Sequence, residues 1–151
     1  MKVLTFSKEF PKTHINAGEP TNFKEKILSG EKIHTIRPET NKWKIGDQIS
    51  MRYWTGKPYH SKQEIFCEEF EVVELIDLCI CVCGDKIDYI FSNCIDMVLA
   101  TEYKIKLFNK IAKNDGFDGF DQFENWFSMN DKKVLKRKYE LTLIAWQPTN
   151  Y

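Results

Sequence analysis

The chain has 151 residues, 42% of them hydrophobic and 29% charged, and its 22 basic and 22 acidic residues leave no formal net charge. That length suits a single domain spanning 1–151, long enough to bury roughly two thirds of its unfolded surface without disulfides or a structural metal. Neutrality excludes a uniformly cationic polyelectrolyte binder, yet the charges are segregated. Lys24–Lys62 holds nine basic and four acidic residues, and Gln63–Tyr103 holds one basic and ten acidic. A positive cleft beside an acidic face is expected.

No run approaches the ~18 consecutive apolar residues of a membrane helix, and the opening MKVLTFSKEF has no apolar signal-peptide core. The expectation is a cytoplasmic protein with no membrane partner. Five cysteines, an odd set, are expected as reduced thiols: Cys67, Cys79, Cys81, Cys83 and Cys94. Cys79, Cys81 and Cys83 would share one strand face. No CxxC or HxxxH spacing accompanies them, so neither a metal nor an organic cofactor is expected.

In chain order, Lys2–Phe6 alternates as a strand, and Pro20-Thr21-Asn22 offers a cap for a short helix over Phe23–Ser29 that ends at Gly30. Ile33–Arg37 reads as a strand stopped by Pro38. Gly46-Asp47 turns into a strand at Gln48–Trp54, which Thr55-Gly56-Lys57-Pro58 breaks. Glu64–Cys83 suggests two adjacent strands followed by a turn at Gly84-Asp85. Met97, Val98, Thr101, Ile105, Phe108 and Ala112 recur at helical spacing up to Gly116. Phe120, Phe123, Trp126 and Phe127 mark a core-facing stripe on a further helix capped by Asp118, and Leu135–Trp146 forms a closing strand. This order is α+β.

The segment with chemical promise is Gly30-x-Lys32-x-x-Thr35-x-Arg37. Thr35 and Arg37 share a strand face, with His34 and Ile36 on the other, so His34 reads as a core or surface histidine. Lys32 must fold back from the turn after Gly30 to join Thr35. A threonine hydroxyl becomes a nucleophile when a base takes its proton, and a desolvated lysine can be that base. Arg37 offers a fork for a phosphate, carboxylate or base edge. The plainer alternative is a solvated strand-edge Lys and Arg flanking a β-favouring Thr.

With Trp43-Lys44-Ile45-Gly46-Asp47 following, this stretch resembles the signature of the ASCH domain, a PUA-like fold, and most closely its small bacterial 4-acetylcytidine amidohydrolases. Ala112-Lys113-Asn114-Asp115-Gly116-Phe117 resembles the helix-end motif of that family, with Asp115 where the acid is usually Glu. The resemblance implies a mixed β-barrel flanked by short helices. It also implies Lys32 as proton acceptor, Thr35 as nucleophile and Asp115 as proton donor in removing an acyl group from the exocyclic amine of cytosine. Asp is one methylene shorter than Glu, and a misplacement of ~1 Å can cost about 100-fold in rate.

The rival expectation is an RNA-binding module without catalysis. Arg37, Arg52, Trp54, Lys57 and Tyr59 would then contact RNA or a modified nucleoside, aromatic faces stacking on bases and cations holding the backbone. Tyr53 and Trp54 are adjacent on a strand, so one of them is expected in the core. Lys132-Lys133 and Lys136-Arg137-Lys138, flanking the closing strand, read as a solvated charge run that could extend a phosphate track.

Overall fold

The computed structural model describes residues 1–38, 42–83, 86–92, 101–128 and 137–151. The alternating residues of Lys2–Phe6 form β1, with Leu4 and Phe6 buried. Helix α1 (Phe23–Leu28) follows, then β2 (His34–Arg37), β3 (Ile49–Trp54), β4 (Gln63–Cys67), β5 (Glu74–Cys83) and β6 (Lys86–Ser92). Helices α2 (Thr101–Asn114) and α3 (Phe120–Ser128) precede the long closing strand β7 (Arg137–Ala145). The expected α+β class is observed.

Pairing among the described residues gives two sheets, β1-β3-β4 and β2-β7-β5-β6. The first is mixed: β1 runs parallel to β3, setting Phe6 beside Tyr53, and β4 returns antiparallel with a bulge at Met51/Arg52. In the second, β7 lies between β2 and β5 and aligns Thr35 with Ile144. Phe6 and Trp146 meet edge to face at 6.2 Å and join the core of one sheet to that of the other.

Several local details depart from the sequence reading. Strands β4 and β5 belong to different sheets, because residues 68–73 carry the chain from one to the other and no hairpin joins them. Strand β6 was not anticipated. It pairs with β5 across the expected turn at Gly84-Asp85, which lies outside the described residues, as do Cys94, Met97, Val98, Lys132, Lys133 and Lys136. Asp118 does not cap α3. Its carboxylate binds Lys26 Nζ at 2.6 Å, while the Phe120 N–H is received by Asn109 Oδ1 at 3.3 Å. Asn22 sits at the start of α1 with φ 54° and makes no side-chain cap; the Thr21 hydroxyl faces the Phe23 N–H instead, at 3.5 Å. Neither Tyr53 nor Trp54 is core, because β3 runs out past the end of the sheet's buried centre and both rings are half-exposed. Arg137 and Lys138 are strand residues of β7 rather than flanking ones.

Two turns bring the chemical residues together. Gly30 (φ 80°) ends α1 and lets the Lys32 N–H reach back to the Lys26 carbonyl at 2.8 Å. Gly116 (φ 88°) ends α2, and the Phe117 N–H bonds the Ala112 carbonyl at 3.0 Å while Gly116 N–H bonds Lys113 O at 2.9 Å. This is the pairing of a Schellman cap, which a left-handed glycine favours. It leaves Asp115 as the capping residue, its carboxylate and carbonyl turned toward Lys32.

Candidate functional site

Lys32 follows the Gly30 turn, and the residue, 1% exposed, has one of the largest fully buried side chains among the described residues. Its ammonium donates to the Asp115 carboxylate, the Asp115 carbonyl and the His34 carbonyl, the last at 2.9 Å. Three acceptors use all three protons of the charged amine. The negative end of helix α2 and the carboxylate favour the charge. Burial opposes it more strongly and lowers the lysine pKa from 10.5 to about 8. Burial likewise raises the Asp115 carboxyl above its ordinary range, against the pull of Lys32. The two proton affinities thus approach one another.

Thr35 and Arg37 lie with this pair in one crevice of about 40 Å³, whose remaining walls include Phe6, Ser7, Phe23, Phe117 and Trp126. The Thr35 hydroxyl makes no hydrogen bond among the described residues. Arg37 is oriented by a 2.6 Å bond to the Thr5 carbonyl and lies 5.5 Å from the centre of the Phe6 ring. The crevice is small, with room for an acetyl-sized group or a water or two. It adjoins a wider pocket of about 290 Å³, with Phe6, Ser7 and Phe23 lining both. That pocket adds Tyr53 and Phe66, stacked 5.8 Å apart, and two cations: Lys8 Nζ sits 4.0 Å and Lys24 Nζ 5.6 Å from the Tyr53 ring centre.

The structure therefore assembles Lys32, Thr35, Arg37 and Asp115 from the turn after Gly30, β2 and the end of α2, and separates them from the other four expected contacts. Arg52 lines neither cavity; its Nε bonds the buried Ser50 hydroxyl at 2.9 Å, and Ser50 in turn holds Glu68 at 2.6 Å. Trp54 lines a third hollow of about 570 Å³ that shares Phe6, Ser7 and Lys8 with the pocket. Tyr59 leans on Trp54 with ring centres 5.3 Å apart and is 86% exposed, and Lys57 is exposed nearby.

His34 does point away from Thr35 as alternation requires, but it is more than a filler. Fully buried, it places Nε2 2.6 Å from the Tyr151 hydroxyl and Nδ1 3.9 Å from Asp115 Oδ1. His34 is held well below its ordinary pKa, first by burial and then by Lys32, so it is neutral at pH 7. Sequence reasoning also missed Phe6, Lys8, Phe23, Lys24 and Tyr53, which arrive from three separate segments. Trp126 was expected only as core; it packs there, edge-on to Phe23 at 6.1 Å, and also walls the crevice.

Among the described residues no three His, Cys, Asp or Glu side chains gather as a metal site, and no helix is long and apolar enough to cross a membrane. Cys79 and Cys81 do share a face, sulfurs 3.9 Å apart, while a bulge at Cys81/Val82 follows and Cys83 ends β5. No protein-family model, curated protein or solved structure matches the chain.

Proposed function

We propose that the protein binds a cytidine-like nucleoside acylated on its exocyclic amine and hydrolyses that amide. The supporting observation is the junction of two unlike cavities. A narrow Lys32–Asp115–Thr35 crevice the size of an acyl group opens beside a pocket of about 290 Å³ lined by aromatic rings, Lys8, Lys24 and Glu25, near the lower bound for small-molecule sites. The ASCH resemblance points to the same chemistry, and the two sheets would be parts of the PUA-like barrel it implies.

In the reactive form one proton is shared by the buried pair and rests on Asp115, leaving Lys32 as a neutral amine. Lys32 takes the Thr35 proton as the Thr35 oxygen attacks the acyl carbon. Asp115 gives its proton to the departing cytosine amine when the C–N bond breaks. The acyl-threonine ester is then cleaved by water, whose proton goes to Asp115 while Lys32 returns one to the threonine oxygen. Both groups end in their starting states. Arg37 faces the same crevice and can hold the carbonyl oxygen or a ring acceptor.

Incubation of the purified protein with 4-acetylcytidine should release acetate and cytidine, and Thr35→Ala or Lys32→Ala should abolish the release. Absence of turnover above the Thr35→Ala control at high enzyme concentration would sink the hydrolase.

A binding module without catalysis is the second reading, favoured by Lys8 over the Tyr53 ring and by the shared walls that run on to Trp54. It requires salt-dependent affinity for single-stranded RNA that survives Thr35→Ala. No binding at low salt would remove it.

A further inference from the structure

Behind the Lys32–Asp115 pair lies a chain of hydrogen bonds that the reaction above does not use. Asn114 Nδ2 donates to the Tyr151 hydroxyl at 3.0 Å, and that hydroxyl lies 2.6 Å from His34 Nε2. The tail that delivers Tyr151 is clamped. Glu74 receives the Thr149 N–H at 2.9 Å and its hydroxyl at 2.8 Å, and Lys110 Nζ bonds the Asn150 carbonyl at 2.7 Å.

The direction of the protons follows from the donors. An amide nitrogen can only donate, so Asn114 occupies a lone pair of the Tyr151 oxygen, and the tyrosine proton is left for His34 Nε2. A neutral imidazole with Nε2 bare carries its proton on Nδ1. The other tautomer would leave the tyrosine proton without an acceptor among the described residues, and would turn a bare Nδ1 lone pair toward the Asp115 carboxylate. His34 Nδ1 has no hydrogen-bond partner in the present geometry, because Asp115 Oδ1 stands 3.9 Å away and is engaged by Lys32. A buried N–H one short movement from a carboxylate is a donor held in reserve.

We propose that Tyr151 and His34 are positioning residues for Asp115: Tyr151 fixes the imidazole as the Nδ1–H tautomer, and that N–H binds the carboxylate when Lys32 turns to its substrate. The tautomer stands on the hydrogen bonds alone; the exchange of partners rests on the hydrolase reading. In the proposed cycle Asp115 is left as a carboxylate once the amine departs, and a donor behind it stabilises that state. Among the described residues, the charged and titratable groups set against His34 are Lys32 and Asp115 on one side and Tyr151 on the other.

Long-range proton–nitrogen correlation on the 15N-labelled full chain, with His34 assigned through its backbone, reads the tautomer directly. The expected result at pH 7 is a protonated Nδ1 and a bare Nε2, shifting toward the Nε2–H form or a mixture in Tyr151→Phe. A wild-type Nε2–H tautomer, or a spectrum unmoved by Tyr151→Phe, overturns the proposal. The partner exchange is read by hydrolysis of 4-acetylcytidine: Tyr151→Phe should lower kcat about tenfold with KM unchanged, and His34→Asn, which keeps an N–H near the Nδ1 position, should retain more activity than His34→Leu. Equal losses in the two His34 variants overturn the exchange. If the wild-type chain is inactive, the hydrolase reading fails separately. The Asp115 carboxyl carbon then decides: its titration should move upward in Tyr151→Phe, and an unmoved titration rejects the role.

Discussion

At Thr35 chemistry and stability pull apart. The Thr35 hydroxyl opens onto the crevice and bonds none of the described residues, so replacing it by an isosteric methyl breaks no hydrogen bond within the fold. Thr35→Val should therefore melt at the wild-type temperature or slightly above it while losing hydrolysis entirely. A drop in stability of more than about 1 kcal/mol would mean that the hydroxyl is a structural donor. Lys32 and Asp115 behave in the opposite way. Removing one member strands a buried charge, at about 3–5 kcal/mol, whereas removing both does not. Urea denaturation should accordingly rank Lys32→Met below the double variant Lys32→Met/Asp115→Asn, and the reverse order would show that the pair is not mutually dependent. The pH dependence has a definite sign. Lys32 titrates near 8 when folded and at 10.5 when unfolded, so between those values the unfolded chain binds more protons and stability rises with pH. That contribution should appear as a rising urea midpoint from pH 8 to 10.5 in the wild type and vanish in the double variant.

Among the elements, the two glycine turns carry unequal burdens. Gly30 and Gly116 both have φ near 80–90°, where an L side chain is strained by roughly 1–2 kcal/mol. A Cβ at Gly30 would meet only the Gln147 amide at 3.7 Å, but at Gly116 it would lie 2.8 Å from Lys32 Cδ and 3.0 Å from the Phe23 ring. Gly116→Ala should thus lose clearly more stability than Gly30→Ala, and should also displace Lys32 and impair hydrolysis. Equal losses in thermal melts would show that backbone strain alone matters. The same turns explain what could be read from the sequence. Gly30, Gly46 and Gly116 punctuate local structure, and the β1, α1, β2 and β3 spans follow from short-range pattern. The separation of β4 from β5 and the docking of Tyr151 on His34 could not be read so, because they depend on pairings between segments far apart in the chain. Lys32 was rightly expected to fold back, yet its three acceptors come from β2 and the end of α2, which no spacing rule connects.

Across the whole molecule the absence of net charge conceals a polar arrangement that matters for the choice between nucleoside and nucleic acid. Lys8 and Lys24 stand at the Tyr53 ring, on the rim of the pocket, while Lys32 is buried and neutralised by Asp115. Of these three lysines, the rim pair is therefore the one placed to meet phosphates. Each phosphate neutralised on a single strand contributes about −0.7 to the slope of log affinity against log salt, so Lys8→Gln/Lys24→Gln should flatten that slope by about 1.4 if RNA runs over the pocket. A free nucleoside carries no phosphate, and its affinity and turnover should be insensitive to salt and nearly indifferent to the same pair of substitutions. Fluorescence titration of a short single-stranded RNA and of 4-acetylcytidine, each from low to high salt with both proteins, separates the cases. A flat slope for RNA in the wild type would remove the polynucleotide track, and a steep one unchanged by the two substitutions would place it on another face of the molecule.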